Sequence, residues 1–112
     1  MKQNDSYYVC PVCGFDELDD SPYYEHFAGS NEICPCCGFE FGVDDFDCAE
    51  IDMEQLSDEE IVKQAHEIYR QNWINSHFKL FNPSVFPSSV KIGRRLRAEV
   101  AINQLQRTSF RT

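Results

Sequence analysis

Two short cysteine motifs are the residues in this 112-residue chain best suited to chemistry. One reads Cys10-Pro11-Val12-Cys13-Gly14, and the other reads Cys34-Pro35-Cys36-Cys37-Gly38. Each is a Cys-x-x-Cys turn that can point both sulfur atoms at one spot, with proline and glycine supplying the backbone angles of the turn. Two such turns can form a tetrahedral thiolate cage for zinc, although disulfides or free thiols stay open as alternatives. The predicted metal ligands are Cys10, Cys13, Cys34 and Cys37.

A site built from four cysteines leaves no coordination position for water or substrate. The metal in such a site stabilises the fold and does not act as a Lewis acid. The sequence also contains neither a nucleophile elbow nor a glycine-rich phosphate loop. We therefore expect a protein without catalytic or cofactor-binding residues, and not an enzyme.

The remaining cysteines and the aspartates could suggest further ion sites. A second metal held by Cys36, Cys48, His26 or His66 stays open, but these spacings match no common cage. A small buried hydrophobic side chain is the simpler interpretation of Cys48. Four aspartates follow the second motif without the spacing of an EF-hand calcium loop, so we expect them to form a solvated acidic surface. They are Asp44, Asp45, Asp47 and Asp52.

The net charge of −9 conceals two halves of opposite sign. Residues 1–60 hold one base against 17 acids, a net charge of −16, whereas residues 61–112 hold nine bases against two acids, a net charge of +7. An acidic half repels nucleic-acid phosphates and attracts a basic protein. The basic half either neutralises the acidic half or binds phosphates. The residues that could contact nucleic acid are Arg94, Arg95, Arg97 and Arg107.

Cysteine usage and hydropathy predict the cellular compartment. The chain has six cysteines, and its start at Met1 lacks an apolar leader, which favours a reducing cytoplasm and metal binding over disulfides. No run of about 18 apolar residues could span a membrane. We expect a cytoplasmic protein without membrane contact. The oligomeric state stays open, and a dimer is one alternative.

Short strands should carry the two cysteine motifs. The pattern predicts strands at residues 7–10 and 15–18, with each motif at the tip of a hairpin, as in a zinc ribbon. The side chains expected to cover the metal are Tyr8, Phe15, Ile33, Phe39 and Phe41.

The clearest helix begins after Ser57. Ser57 and Glu60 form a capping box, and apolar residues at helical spacing predict a helix from Asp58 to about Asn75. Its apolar stripe includes Trp73, and Lys63, Gln64, Glu67 and Arg70 are expected to face away from it. An aromatic loop at residues 78–87 should wrap the core.

A second helix is predicted from Ser88 or Ser89 to about Arg107, with Gly93 as a weak point. Residues 109–112 should fray. The expected fold class is therefore α+β: a small metal-bound protein in which a zinc ribbon at residues 1–50 is followed by a helical extension at residues 51–112. The extension packs on the ribbon in one compact domain.

The motifs resemble those of the bacterial cysteine-rich CPCC family. The resemblance covers residues 7–46, where Glu32-Ile33 precedes the second motif and Phe39-Glu40-Phe41 follows it, and extends more loosely over residues 57–87. It implies a zinc-ribbon-like metal protein and assigns no activity. Some genes of this family lie among toxin–immunity loci, so the resemblance implies that an immunity or antitoxin factor is one role open to this chain.

The motifs also resemble rubredoxin, which holds iron in four cysteines. Three functions are therefore open. The first, which we favour, is a protein-binding module with structural zinc and an acidic binding face. The second is a nucleic-acid-binding zinc ribbon that uses the basic C-terminal helix. The third is a rubredoxin-like iron electron carrier.

Overall fold

The computed structural model describes residues 8–108 of a small α+β protein. Its regular elements are helix α1 at Asp58–Asn75, strand β1 at Lys91–Ile92, strand β2 at Arg95–Leu96 and helix α2 at Ala98–Leu105. The two strands form an antiparallel sheet in which Lys91 pairs with Leu96 and Ile92 pairs with Arg95. Short 3₁₀ turns lie at Glu25–Phe27, Asp44–Phe46, Pro83–Val85 and Ser88–Val90.

No helix within residues 8–108 combines the length and the apolar character needed to cross a bilayer. The predicted start of the first strand at Tyr7 and the predicted fraying of residues 109–112 lie outside the described residues.

Each cysteine motif forms a tight turn at the end of an antiparallel pair, as the spacing predicts. In the first motif the Cys10 amide donates to the Phe15 carbonyl at 2.7 Å, and the Gly14 amide donates to the Cys10 carbonyl at 2.9 Å. The second motif repeats both bonds with Cys34, Phe39 and Gly38, at 3.0 and 2.8 Å. The turns are therefore two copies of one structure.

The strands behind these turns are shorter than predicted. A single bridged pair, Tyr8 with Leu18, closes the first hairpin, and Ile33 with Glu40 closes the second. The expected metal cover is also only partly present, because Phe39 and Phe41 are buried whereas Tyr8 and Ile33 are each 41% exposed. One bridged pair gives no wide sheet whose inner face could bury every apolar residue of the hairpins.

Helix α1 begins and ends where the sequence predicts. The Ser57 side chain accepts from the Glu60 amide, and the Glu60 side chain accepts from the Ser57 amide, which satisfies two amides that a helix start leaves unpaired. Ile61, Ala65 and Trp73 are buried, as the apolar stripe predicts. The helix packs on the turns at residues 25–27 and 44–46.

The second predicted helix is wrong over its first half. Residues 91–96 form the β1–β2 hairpin, and α2 begins only at Ala98. Gly93 is the first of two loop residues and has a φ of +63°, the position at which a type II′ turn takes glycine. A glycine that weakens a helix is therefore the residue that allows a hairpin.

We predict that Gly14→Ala destabilises the protein far more than Gly93→Ala. Both glycines have a positive φ, which costs alanine about 1–2 kcal/mol. A Cβ on Gly14 would lie 1.8 Å from the Gln104 carbonyl oxygen of α2, whereas a Cβ on Gly93 meets nothing within 4 Å. We expect losses above about 3 kcal/mol for Gly14→Ala. Denaturant unfolding measures both, and equal losses would contradict this packing.

Candidate metal centre

The four predicted ligands converge at one place. Their sulfur atoms all lie within 4.8 Å of one another, with Cys10 Sγ 3.8 Å from Cys37 Sγ and Cys13 Sγ 3.7 Å from Cys34 Sγ. A disulfide would bring two sulfurs to about 2.05 Å, so the thiols are not bonded in pairs. Metal–sulfur bonds of about 2.3 Å in a tetrahedron require sulfurs about 3.8 Å apart. The four cysteines are therefore positioned to hold a metal ion.

The electrostatics of the cage also favour a bound cation. Cys10, Cys13 and Cys34 are fully buried, and Cys37 is half-buried. Burial opposes ionisation of Cys10, yet hydrogen bonds from the other three thiols hold its pKa well below its usual value. Burial and the neighbouring Cys10 raise the pKa of Cys13 and Cys37 well above theirs. One thiolate forms readily, and a cation is needed to stabilise the others.

Helix side chains hold the first turn from outside. Arg70 of α1 donates through Nε to the Val12 carbonyl and through Nη2 to the Pro11 carbonyl, both at 2.8 Å. Gln104 of α2 donates to the Cys13 carbonyl at 3.4 Å. Arg107, just after α2, donates to the Gly14 carbonyl at 2.7 Å. Four successive carbonyl groups of this turn thus accept from one group of three side chains, which we call the carbonyl clamp.

Backbone amides do the same for the second turn. The Phe81 amide donates to the Cys36 carbonyl at 3.1 Å, and the Asn82 amide donates to the Pro35 carbonyl at 2.9 Å. Buried carbonyl groups left without donors would each cost about 1–3 kcal/mol. The extension after residue 57 therefore fixes the orientation of both turns and of the sulfurs that they carry.

The clamp also brings positive charge to the cage. A divalent metal with four thiolates carries about two negative charges. Arg70 is only 5% exposed, and burial lowers its pKa, while Glu67 and the thiolates of Cys10, Cys13 and Cys37 oppose that shift. Arg107 also pairs with Asp16 at 3.4 Å. Two guanidinium groups of the basic half are thus used to hold the first turn.

A second buried polar cluster lies beside the cage. The Tyr23 hydroxyl donates to Asp45 Oδ2 at 2.5 Å and lies 2.8 Å from His66 Nε2. Asp45 is fully buried and also accepts from the Gly42 amide at 3.0 Å. The Tyr23 hydroxyl has one proton, and that proton is used in the hydrogen bond to Asp45. His66 Nε2–H must therefore donate to the Tyr23 oxygen. His66 is therefore held as the neutral Nε2–H tautomer.

Burial sets the ionisation of this cluster. Burial, together with the charge of Arg70, lowers the pKa of His66 from 6.5 to about 4. Burial and Asp45 raise the pKa of Tyr23 far above its ordinary value. Both groups are neutral near pH 7. A histidine that weakly basic is a hydrogen-bonding residue and a poor general base.

The other candidate ion ligands are not brought together. Within residues 8–108, the four-cysteine cage is the one group of three or more metal-ligating side chains close enough to share an ion. Cys36 is buried 3.5 Å from Gln104 Nε2, and Cys48 donates to Glu50 at 3.2 Å. His26 is exposed. The side chains proposed for a second metal, and the aspartates after the second motif, form no further group of that kind among these described residues.

The four arginines proposed for nucleic acid do not lie on the C-terminal helix. Helix α2 contains no basic residue. Arg94 and Arg95 belong to the β1–β2 hairpin, Arg97 precedes α2, and Arg107 is part of the carbonyl clamp. The basic helix expected from the sequence is therefore corrected to a basic hairpin.

Sequence reasoning missed the clamp and the buried cluster. Arg70 was expected to face away from the core because it is charged, yet it is buried. Its position was readable in the spacing, because residues 62, 66, 70 and 73 follow one helix face at intervals of four, four and three. Nothing local marks Gln104 or Tyr23, whose partners lie far away in the sequence.

Two proteins of Bacillus subtilis (strain 168) are similar to this chain over most of its length. One is described as the uncharacterized protein YoaQ and is 31% identical over 104 residues, which cover 92% of this chain and 87% of the relative. The other, the uncharacterized protein YozI, is 28% identical over 107 residues, which cover 94% of this chain and 88% of the relative. No family model matches the chain, and no solved structure matches it.

We predict that Cys34→Ala abolishes metal binding and that Cys36→Ala retains it. Both side chains are fully buried in the same turn, so the substitutions remove equal volumes. Only Cys34 contributes a sulfur to the cage. Elemental analysis of the purified proteins should give about one metal ion per chain for Cys36→Ala and none for Cys34→Ala. Equal metal content in the two variants would refute the assigned ligand set.

We also predict a pH-dependent contribution from His66. An unfolded chain protonates this residue below about pH 6.5, whereas the fold resists protonation until about pH 4. The unfolded state binds more protons in this window, so stability falls as the pH falls. From pH 6.5 to 5, the unmodified protein should lose about 1.5 kcal/mol more than His66→Gln. Because metal release at low pH affects both proteins, only the difference between them reports on His66. Parallel curves of unfolding free energy against pH would contradict the assignment.

Proposed function

This chain belongs to the family of the Bacillus subtilis protein YoaQ, and we propose that it is a cytoplasmic structural-zinc protein that binds a basic protein through an acidic surface. The observation that carries the zinc assignment is the convergence of four cysteine sulfurs within 4.8 Å of one another in a buried site. Four thiolates are a common donor set for structural zinc, and they leave no position for a substrate.

Zinc in this site acts on folding. A structural zinc ion contributes on the order of 10 kcal/mol in small zinc peptides, which is comparable to the whole net stability of a domain, about 5–15 kcal/mol. Residues 8–41 contain little regular structure beyond two closed turns, so the ion supplies much of their order. Iron accepts the same four thiolates, and iron in the purified protein would instead support the rubredoxin-like carrier.

The acidic surface consists of exposed carboxylates between residues 47 and 59. It includes Asp47, Glu50, Asp52, Glu54, Asp58 and Glu59. These groups lie on the loop before α1 and on its first turn. Within residues 8–108, only Glu59 among them forms an ion pair, with Lys63 at 3.0 Å. A concentrated acidic surface accelerates encounter with a basic partner and repels phosphates.

Self-neutralisation is the main alternative use of this charge. Within residues 8–108, two ion pairs join the acidic half to the basic half: Asp16 with Arg107, and Glu59 with Lys63 along α1. All four side chains are at least 41% exposed, and such pairs contribute at most about 1 kcal/mol each. The acidic surface is therefore left for another molecule, and this favours a partner protein. The resemblance to the CPCC family supports an immunity-type partner as one member of that class.

We predict that the triple variant Asp47→Asn, Glu50→Gln, Glu54→Gln loses its protein partner. Amide side chains keep similar shapes and hydrogen-bonding oxygens, so the change is mainly one of charge. The control is Glu17→Gln, Glu25→Gln, Glu99→Gln, which removes three exposed carboxylates elsewhere.

Affinity capture with mass spectrometry compares the two triple variants with the unmodified protein. One basic protein should be recovered with the unmodified chain and the control, and lost with the acidic-surface variant. Recovery dominated by nuclease-sensitive material, or equal loss in both variants, would rule out the proposed binding face.

A further inference from the structure

A cleft of about 450 Å³ lies beside the second cysteine turn. One wall is the C-terminal half of α1, another is the segment that follows it, and the tip of the β1–β2 hairpin completes it. Its size is within the range of small-molecule sites. The side chains used below are Tyr69, Trp73, Lys79, Phe81 and Arg94.

The cleft carries two basic side chains although the protein is acidic. Lys79 and Arg94 are the basic residues that line it, no carboxylate does, and Cys37 of the cage also reaches its wall. The Leu80 amide donates to the Arg94 carbonyl at 2.9 Å, which holds the hairpin tip against the loop that carries Lys79. Within residues 8–108, neither cation forms an ion pair. Both are therefore available to an anion.

Cations near the end of a helix can serve merely to stabilise its negative pole. Arg95 does so here, because its Nε donates to the Ser76 carbonyl at 3.4 Å. Within the described residues, the side-chain nitrogens of Lys79 and Arg94 make no such bond to α1. Stabilisation of the negative end of the helix therefore does not explain why these two cations lie here.

An exposed aromatic ring lines the same cleft as these cations. Phe81 is 59% exposed, although its amide is bound to the Cys36 carbonyl and its ring packs against Gly38. A Cβ on Gly38 would approach the Phe81 ring to 2.8 Å, so glycine is what allows this contact. The ring is held in place with much of its surface in water, which makes it a preformed surface for stacking. Tyr69 adds a second, half-buried ring.

We propose that this cleft binds a nucleotide, with the base stacked on Phe81 and the phosphate paired with Lys79 and Arg94. Aromatic rings beside cations are the combination that recognises a base joined to a phosphate. The proposal is independent of the acidic surface and of its protein partner.

Charge limits the length of the ligand. Two cations neutralise about two phosphate charges, whereas the net charge of −9 repels a long polyanion. The ligand is therefore a free nucleotide or a short single strand, and not a duplex. For a single strand, two contacts give a slope of about −1.4 for log affinity against log salt concentration.

The test uses the metal-loaded full chain and isothermal titration calorimetry. The probes are adenosine 5′-monophosphate and an eight-nucleotide oligodeoxyadenylate, with adenosine and inorganic phosphate as component controls. Trp73 is the only tryptophan in the chain and lines the cleft, so its fluorescence reports where binding occurs. We expect at least one probe to bind more tightly than either component and to change that fluorescence. Tighter binding of the oligonucleotide would identify a single strand as the source.

Matched variants separate stacking from charge. Phe81→Ala should weaken binding roughly 5- to 100-fold, whereas Ile92→Ala, an exposed apolar residue outside the cleft, should not. Lys79→Gln with Arg94→Gln should remove most of the salt dependence, and Lys63→Gln should not. No binding of either probe overturns the proposal. So do equal effects of Phe81→Ala and Ile92→Ala, or inorganic phosphate binding as tightly as the nucleotide.

Discussion

The convergence of four sulfur atoms on one point is the constraint on which the rest of the structure depends. Cys13 and Cys34 lie 21 residues apart, and a single bridged pair closes each hairpin behind them. No continuous sheet joins the two turns within residues 8–108. A shared cation would replace that missing sheet, because it links both turns at once and offsets the repulsion between thiolates.

The carbonyl clamp is the complement of this constraint. Arg70 reaches across 58 residues of sequence to Val12, and Arg107 reaches across 93 residues to Gly14. Such distant contacts carry a loop-closure cost that one hydrogen bond hardly offsets. Several such hydrogen bonds to one turn together offset the loop-closure cost, provided that the turn is already ordered. Metal binding and helix docking therefore support each other, and loss of either weakens both.

The features predicted correctly from the sequence are those with a local cause. Cysteine spacing specifies the two turns, and the capping box of Ser57 and Glu60 specifies where α1 begins. The errors arose where the outcome depends on distant residues. Arg70 is buried because its guanidinium donates hydrogen bonds to carbonyl groups of the first turn. Gly93 lies in a hairpin because that hairpin forms backbone hydrogen bonds with residues 78–80. The buried cluster of Tyr23, Asp45 and His66 likewise joins three separate segments.

The same geometry determines how the uneven charge is used. Folding could have placed the bases of residues 61–112 against the acids of residues 1–60, but Arg70 and Arg107 go to the first cysteine turn. Lys79 and Arg94 line a cleft at the other end of α1 from Asp58 and Glu59. An 18-residue helix is about 27 Å long, more than three Debye lengths of about 8 Å at physiological salt. The two charged regions are therefore screened from each other, so a basic protein and a small anion can be attracted to separate parts of one molecule.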